Sequence, residues 1–172
     1  MKNTVLVSLR SVLKSNSPLT VHPRNMIIGF LGGAMSIGLL ALFSLNGHSI
    51  WIMAPFGASC VLAFGVWDAP LSQPRNIIGG HLVSSLIGLS VLHWFGDGII
   101  AMAVAVGASI SLMQLTRTTH PPAGADPLVI IMSGSSWSFL LTPVLAGALV
   151  IVLIALVVNN VVKDRKYPTF WW

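Results

Sequence analysis

No charged side chain lies between Arg24 and Asp68, and none lies between Asp126 and Lys163. Runs of that length cannot cover a water-soluble domain, in which about 25% of residues are charged. Here 8% are charged and 55% are hydrophobic, and a soluble core of this size would need far more polar cover. The chain is therefore expected to be an all-α integral membrane protein whose main solvent is lipid.

The few charges are placed as punctuation. The acids are Asp68, Asp97, Asp126 and Asp164, and the bases are Lys2, Arg10, Lys14, Arg24, Arg75, Arg117, Lys163, Arg165 and Lys166. A net charge of +5 would suit nucleic acid if it formed one patch. Instead the bases flank apolar runs, as topology signals do, so the lipid bilayer is the expected partner and nucleic acid is not. Cys60 is the single cysteine, so no intrachain disulfide can form, and no base or cation lies near it in sequence to activate the thiol. The first 23 residues lack the apolar core and cleavage site of a signal peptide. Val5, Leu6, Leu9, Val12 and Leu13 recur at helical spacing. They fit a basic amphipathic helix on the cytoplasmic membrane surface and a disordered tail equally well.

A bilayer-spanning helix needs about 20 apolar residues. Residues 26–45, 77–95 and 138–160 meet that length, and 99–116 falls slightly short. Two further stretches are apolar but broken: 50–67 by Ala54-Pro55-Phe56-Gly57-Ala58-Ser59, and 121–137 by Pro121-Pro122-Ala123-Gly124-Ala125-Asp126-Pro127. Six crossings from an inside N-terminus put every basic residue on the cytoplasmic side. Four crossings plus two re-entrant segments put Arg75 outside and fit less well. The expected layout is a cytoplasmic segment 1–25, a transmembrane domain 26–160 and a cytoplasmic tail 161–172, in a multi-pass protein of the cell (inner) membrane.

The two breaks align with each other. At one constant offset Pro55-Phe56-Gly57-Ala58-Ser59 falls on Pro122-Ala123-Gly124-Ala125-Asp126, and Gly79-Gly80 falls on Ala146-Gly147. The fold class expected is thus six hydrophobic segments in two inverted three-helix repeats, about 26–92 and 93–160. Broken helices at matching positions of inverted repeats point to a transport site near the midplane.

Breaking a helix inside lipid frees backbone groups that need partners. A half-helix start presents unpaired N–H groups and the positive dipole end, which favour an anion. Pro55, Gly57, Ala58 and Ser59 form one such start, and Pro121, Pro122, Gly124, Ala125 and Asp126 the other; plain kinks with tight small-residue packing are the competing reading. Arg75, Asn76 and Arg117 flank the breaks, as anion-attracting groups or as topology determinants. His120 adjoins Pro121 and suits binding or proton transfer. His81, inside the third segment, is either a second proton carrier or an interhelical hydrogen bond. Asp126 is protonated, paired with Arg117, or holding a coupling cation, and the sequence leaves these three open. No nucleophile–base–carboxylate set and no metal-ligand spacing stands out, so neither enzyme chemistry nor a cofactor or metal is expected. Trp51, Trp67, Trp94, Trp137, Trp171 and Trp172 fall mostly near segment ends, as an aromatic belt does.

His120-Pro121-Pro122-Ala123-Gly124-Ala125 resembles the signature of the HPP family of integral membrane proteins. Two further blocks match its pattern in order: Pro55-Phe56-Gly57-Ala58-Ser59, and Ser72-Gln73-Pro74-Arg75-Asn76 followed by Gly79-Gly80-His81. The resemblance implies a bacterial, algal or plastid membrane protein, usually described with four transmembrane helices, against six segments read here. It also implies a link to nitrite, since cyanobacterial and chloroplast relatives are implicated in its transport. Asp126 departs from the family, where that position is commonly uncharged.

The function expected is transport of a small inorganic anion, nitrite the leading candidate, either passive or proton-coupled. Two alternatives are a cation or neutral-solute pathway using Asp126, and a non-transporting scaffold or sensory partner. Gly29, Gly32, Gly33 and Gly38 suit close helix contact and a homo-oligomer.

Overall fold

The computed structural model describes residues 22–46 and 50–171. The proposed amphipathic segment 4–15, with Lys2, Arg10 and Lys14, lies outside them. Among the described residues every regular element is helical. Six helices follow in order: α1 Pro23–Asn46, α2 Ala54–Gly65, α3 Pro74–Phe95, α4 Ile99–Leu115, α5 Asp126–Ser133 and α6 Trp137–Asn160. Helices α1, α3 and α6 are long and apolar enough to cross a membrane, while α2 and α4 are shorter apolar helices. The boundaries follow the sequence breaks. Pro23, Pro55, Pro74 and Pro127 each occupy a first helical turn, where the missing N–H costs nothing. Gln73 before Pro74 is extended (φ −75°, ψ 155°), as the residue before proline prefers.

Two helix ends use the same device with different residues. Helix α5 stops at Gly134 in the left-handed region (φ 61°), with Ser135 N–H donating to Ile130 O and Gly134 N–H to Ile131 O. Helix α4 stops the same way at Arg117 (φ 57°), with Thr118 N–H donating to Met113 O and Arg117 N–H to Gln114 O. Both are Schellman motifs, whose left-handed residue is usually glycine. Arg117 is the non-glycine occupant.

Contacts between termini show how the segments run. Arg24, at the start of α1, pairs with Asp164 just past α6 (3.1 Å). Arg165 donates to Phe64 O at the end of α2, to Asn159 Oδ1 in α6 and to Asn25 Oδ1 in α1. Arg75 at the start of α3 donates to Thr116 O at the end of α4. The starts of α1 and α3 and the ends of α2, α4 and α6 therefore share one end of the bundle, and Arg24, Arg75, Arg117 and Arg165 gather there. At the opposite end Trp51 N–H donates to Ser44 Oγ, and Trp137 at the start of α6 meets His93 near the end of α3. The stretches 50–65 and 116–133 thus each run from one end to the other. The helical part of α2 alone, at 1.5 Å per residue, covers about 18 Å, short of the ~30 Å apolar core; extended backbone completes the passage.

The tail packs onto the basic end. Tyr167, 2% exposed, donates its hydroxyl to Ser72 O (2.8 Å), and its N–H bonds Asn160 Oδ1. Thr169 N–H reaches Gln73 Oε1, and Arg165 stacks over the Trp67 ring. The main apolar core lies between α1, α2, α3 and α6, around Phe56, Phe64, Ile77 and Ile151. Two glycines admit its aromatic rings: a Cβ on Gly32 would stand 2.3 Å from the Phe64 ring, and one on Gly147 would stand 2.2 Å from the Phe56 ring. Gly32, expected on a face between copies, is thus spent inside the chain, whereas a Cβ on Gly29, Gly33 or Gly38 would meet nothing within 4 Å.

Candidate functional site

The stretch 116–125 crosses half the bundle without a regular α-helix, so its carbonyls need partners that lipid cannot supply. Helix α3 supplies them. Arg75 donates to Thr116 O, Asn76 Nδ2 to Thr119 O (2.9 Å) and Ser84 Oγ to Ala123 O (2.6 Å). Close approach depends on missing side chains. A Cβ on Gly79 would meet Thr118, one on Gly80 would lie 2.6 Å from His120 Cβ and 2.8 Å from Thr118 O, and one on Gly88 would lie 2.8 Å from Pro127 Cα. Gly80, Ser84 and Gly88 repeat every four residues, the small-residue face by which membrane helices come close.

On this platform five polar side chains meet. Asp126 Oδ2 lies 2.7 Å from His81 Nδ1, and Ser85 Oγ donates to the same oxygen (3.1 Å). His81 Nε2 lies 2.8 Å from Ser59 Oγ, and Ser59 Oγ lies 2.8 Å from His120 Nε2. His120 Nδ1 donates to Leu71 O (2.8 Å). All of Ser59, His81, Ser85, His120 and Asp126 are 0% exposed, and the Phe56 ring packs edge-on against His81. Each broken segment contributes: Ser59 comes from α2, His120 and Asp126 from the second break, and His81 from α3 between them. Among the described residues two buried side-chain atoms have no hydrogen-bond partner, Asp126 Oδ1 and Asn76 Oδ1.

Several expectations change at this point. Asp126 is partnered by His81 and Ser85, not by Arg117. His81, read as a carrier or a plain interhelical bond, sits at the centre of the cluster. A nucleophile–base–carboxylate order does exist in space, as Ser59–His81–Asp126, though nothing in sequence spacing announces it. Ser59 Oγ is enclosed, within bonding distance of two imidazoles and of Pro55 O (3.2 Å). The N–H donors expected at the half-helix starts are few. Pro55, Pro121 and Pro122 have none, Phe56 N–H donates to Met53 O and Ala123 N–H to His120 O.

The remaining expected residues surround the cluster. Pro55, Ala58, Pro121, Pro122 and Ala125 line a largely apolar cleft of about 910 Å³ between α2 and α5. Gly57 faces a second cleft, against Gly29 and Gly33 of α1. A Cβ on Gly124 would meet nothing within 4 Å. Arg75 and Arg117 stand at the basic end, Arg75 half-buried and Arg117 exposed. Sequence reading missed Ser84 and Ser85, although the four-residue spacing of Gly80, Ser84 and Gly88 marks that face of α3. No group of histidine, cysteine and acidic residues suited to hold a metal ion occurs among the described residues.

The sequence profile described as HPP, transmembrane region, matches residues 18–168. The chain belongs to the HPP family. Two transmembrane proteins of Dictyostelium discoideum are similar over most of it. One is 42% identical over 159 residues, covering 84% of this chain and 56% of that protein. The other is 37% identical over 168 residues, covering 91% and 54%. The chain thus spans about half the length of these relatives. No solved structure matches it. Family membership and the apolar helices together make this an integral membrane protein.

Proposed function

We propose that this HPP protein transports a small inorganic anion, nitrite the leading candidate, through the junction of its two broken segments. One observation carries the reading: Ser59, His81, His120 and Asp126, all fully buried, converge where both helices are interrupted. Ionisable groups inside a membrane bundle are costly and mark ion pathways, and broken helices mark midplane sites. The anion enters from the basic end, where Arg24, Arg75, Arg117 and Arg165 raise its local concentration. That end faces the cytoplasm of the inner membrane, with both termini, by the positive-inside rule. The conformation described is closed, since no member of the cluster has exposed surface.

Packing also supports the inverted-repeat reading. Helix α3 carries the second broken segment, with Gly80 against His120; α6 packs on the first, with Gly147 against Phe56. These two glycines are equivalent in the proposed repeat. The open glycines Gly29, Gly33 and Gly38 are the proposed contact face of a homo-oligomer. Ser59–His81–Asp126 is read as part of an ion site and not as a hydrolase, because Ser59 is enclosed on every polar side.

A second reading, cation transport, is favoured by Asp126 Oδ1, a buried carboxylate oxygen without a partner. Uptake into proteoliposomes separates the two. Nitrite accumulation above protein-free liposomes, unchanged when sodium is replaced by a large organic cation, supports the anion reading. Flux of a monovalent cation without nitrite flux overturns it in favour of the second, and folded protein carrying neither ion overturns both.

A further inference from the structure

His120 fixes the sense of the hydrogen-bonded chain. A carbonyl only accepts, so the 2.8 Å contact to Leu71 O places a proton on His120 Nδ1. When that ring is neutral its Nε2 is an acceptor, and the Ser59 hydroxyl donates to it. Ser59 Oγ then accepts from His81 Nε2–H, and with Asp126 taken as a carboxylate His81 Nδ1–H donates to it. A second arrangement uses the same heavy atoms. Ser59 donates to His81 Nε2 and accepts from Nε2–H of a doubly protonated His120, while His81 Nδ1–H still donates to Asp126. Both arrangements hold the same number of protons.

We propose that Ser59 passes a proton between the His81–Asp126 pair and His120, and that the proton is the ion coupled to transport. In the transfer the N–H bond at His81 Nε2 breaks as an O–H bond forms on Ser59. The original Ser59 O–H bond breaks as an N–H bond forms at His120 Nε2. The positive charge moves from His81 to His120, Ser59 ends as it began, and Asp126 remains a carboxylate. Each titratable group in the cluster comes from a different element: His81 from α3, His120 from the stretch before Pro121, and Asp126 from α5. Helix α2 adds only the Ser59 hydroxyl. His120 stands nearer the basic end, beside Leu71, so the transfer brings positive charge toward the mouth where an anion enters.

This rests on the transport reading of the same cluster, and two assays on proteoliposomes of the full chain keep them apart. One follows nitrite uptake and internal pH under an inward proton gradient; the other follows nitrite exchange at equal pH. Wild type and Ser36→Ala, which loses a buried bond to Gly32 O within α1 and a contact with Cys60, both outside the cluster, show both activities. Ser59→Ala loses gradient-driven uptake and proton entry, each by about a hundredfold or more, the range for loss of a positioned proton carrier, and loses exchange by a smaller factor. Gradient-driven uptake by Ser59→Ala at the wild-type rate overturns the relay and leaves transport standing. No nitrite movement by wild type in either assay overturns the transport reading. The relay is then decided by ¹⁵N NMR of histidine-labelled protein. Exchange-averaged Nε2 signals of His81 and His120 that separate in Ser59→Ala support it; a single fixed tautomer pair in wild type overturns it.

Discussion

His81 and His120 face each other across one hydroxyl, each with its Nε2 2.8 Å from Ser59 Oγ and their ring centroids 5.1 Å apart. Neither ring reaches solvent, so each depends on the other's partners for its hydrogen bonds. Asp126 anchors one end of that dependence and the Leu71 carbonyl the other.

Removing the centre of this arrangement should be worse than neutralising its end. His81→Ala leaves a buried carboxylate with only Ser85 and should cost about 3–5 kcal/mol, as breaking a buried pair does. Asp126→Asn removes the charge while keeping the shape and should cost less. Thermal unfolding of the purified variants in detergent checks the order.

Glycines separate by what faces them. Gly80→Ala drives a methyl into His120 Cβ and the Thr118 carbonyl, and because backbone cannot yield cheaply it should cost about 1–3 kcal/mol. Gly29→Ala meets nothing of its own chain within 4 Å and in the monomer should be neutral or stabilising by about 0.5–1 kcal/mol, since alanine suits a helix better. Thermal unfolding again reads both.

Arg117 holds the position a glycine would take at the end of α4. Arg117→Gly should stabilise the fold by roughly 1 kcal/mol, because left-handed backbone costs an L-residue about that much. The same change removes a cation from the basic mouth and should lower nitrite uptake, most strongly at low ionic strength. Paired measurements of melting temperature and uptake should therefore move in opposite directions.

The docked tail should respond to alkaline pH. Burial raises the Tyr167 hydroxyl above the usual tyrosine range. A released tail ionises near pH ~10 while a docked one keeps its proton. Docking is thus at full strength below about pH 10 and weakens as pH rises further. Tryptophan fluorescence, with Trp171 on the tail, should report release above that pH, and Tyr167→Phe should abolish the pH dependence.

Much of the fold is legible in sequence because lipid imposes simple rules. Apolar length marks α1, α3 and α6 to within a few residues, and proline marks where α2 and α5 begin. The basic residues between segments show that Arg24, Arg75, Arg117 and Arg165 belong at one end. The site is less legible because its chemistry depends on which helices face each other. Ser59 reads as one small residue among several at a half-helix start, and only the closeness of α2 to α3 turns its hydroxyl into a bridge. Asp126 could be matched to Arg117 by nearness in sequence, yet Arg117 ends α4 at the bundle's rim while His81 lies one helix away and level with the acid. Arg165 reads as a topology charge in a tail, but its guanidinium ties together α1, α2 and α6. Nothing local announces those three carbonyl and amide partners.

The buried chain from Asp126 to His120 is the proposed transport site. Nitrite uptake by His120→Ala, in proteoliposomes containing matched amounts of folded protein, tests it most directly. Uptake should fall to the level of protein-free liposomes, with the variant still inserted and monodisperse in detergent. Uptake by that variant at the wild-type rate would contradict it.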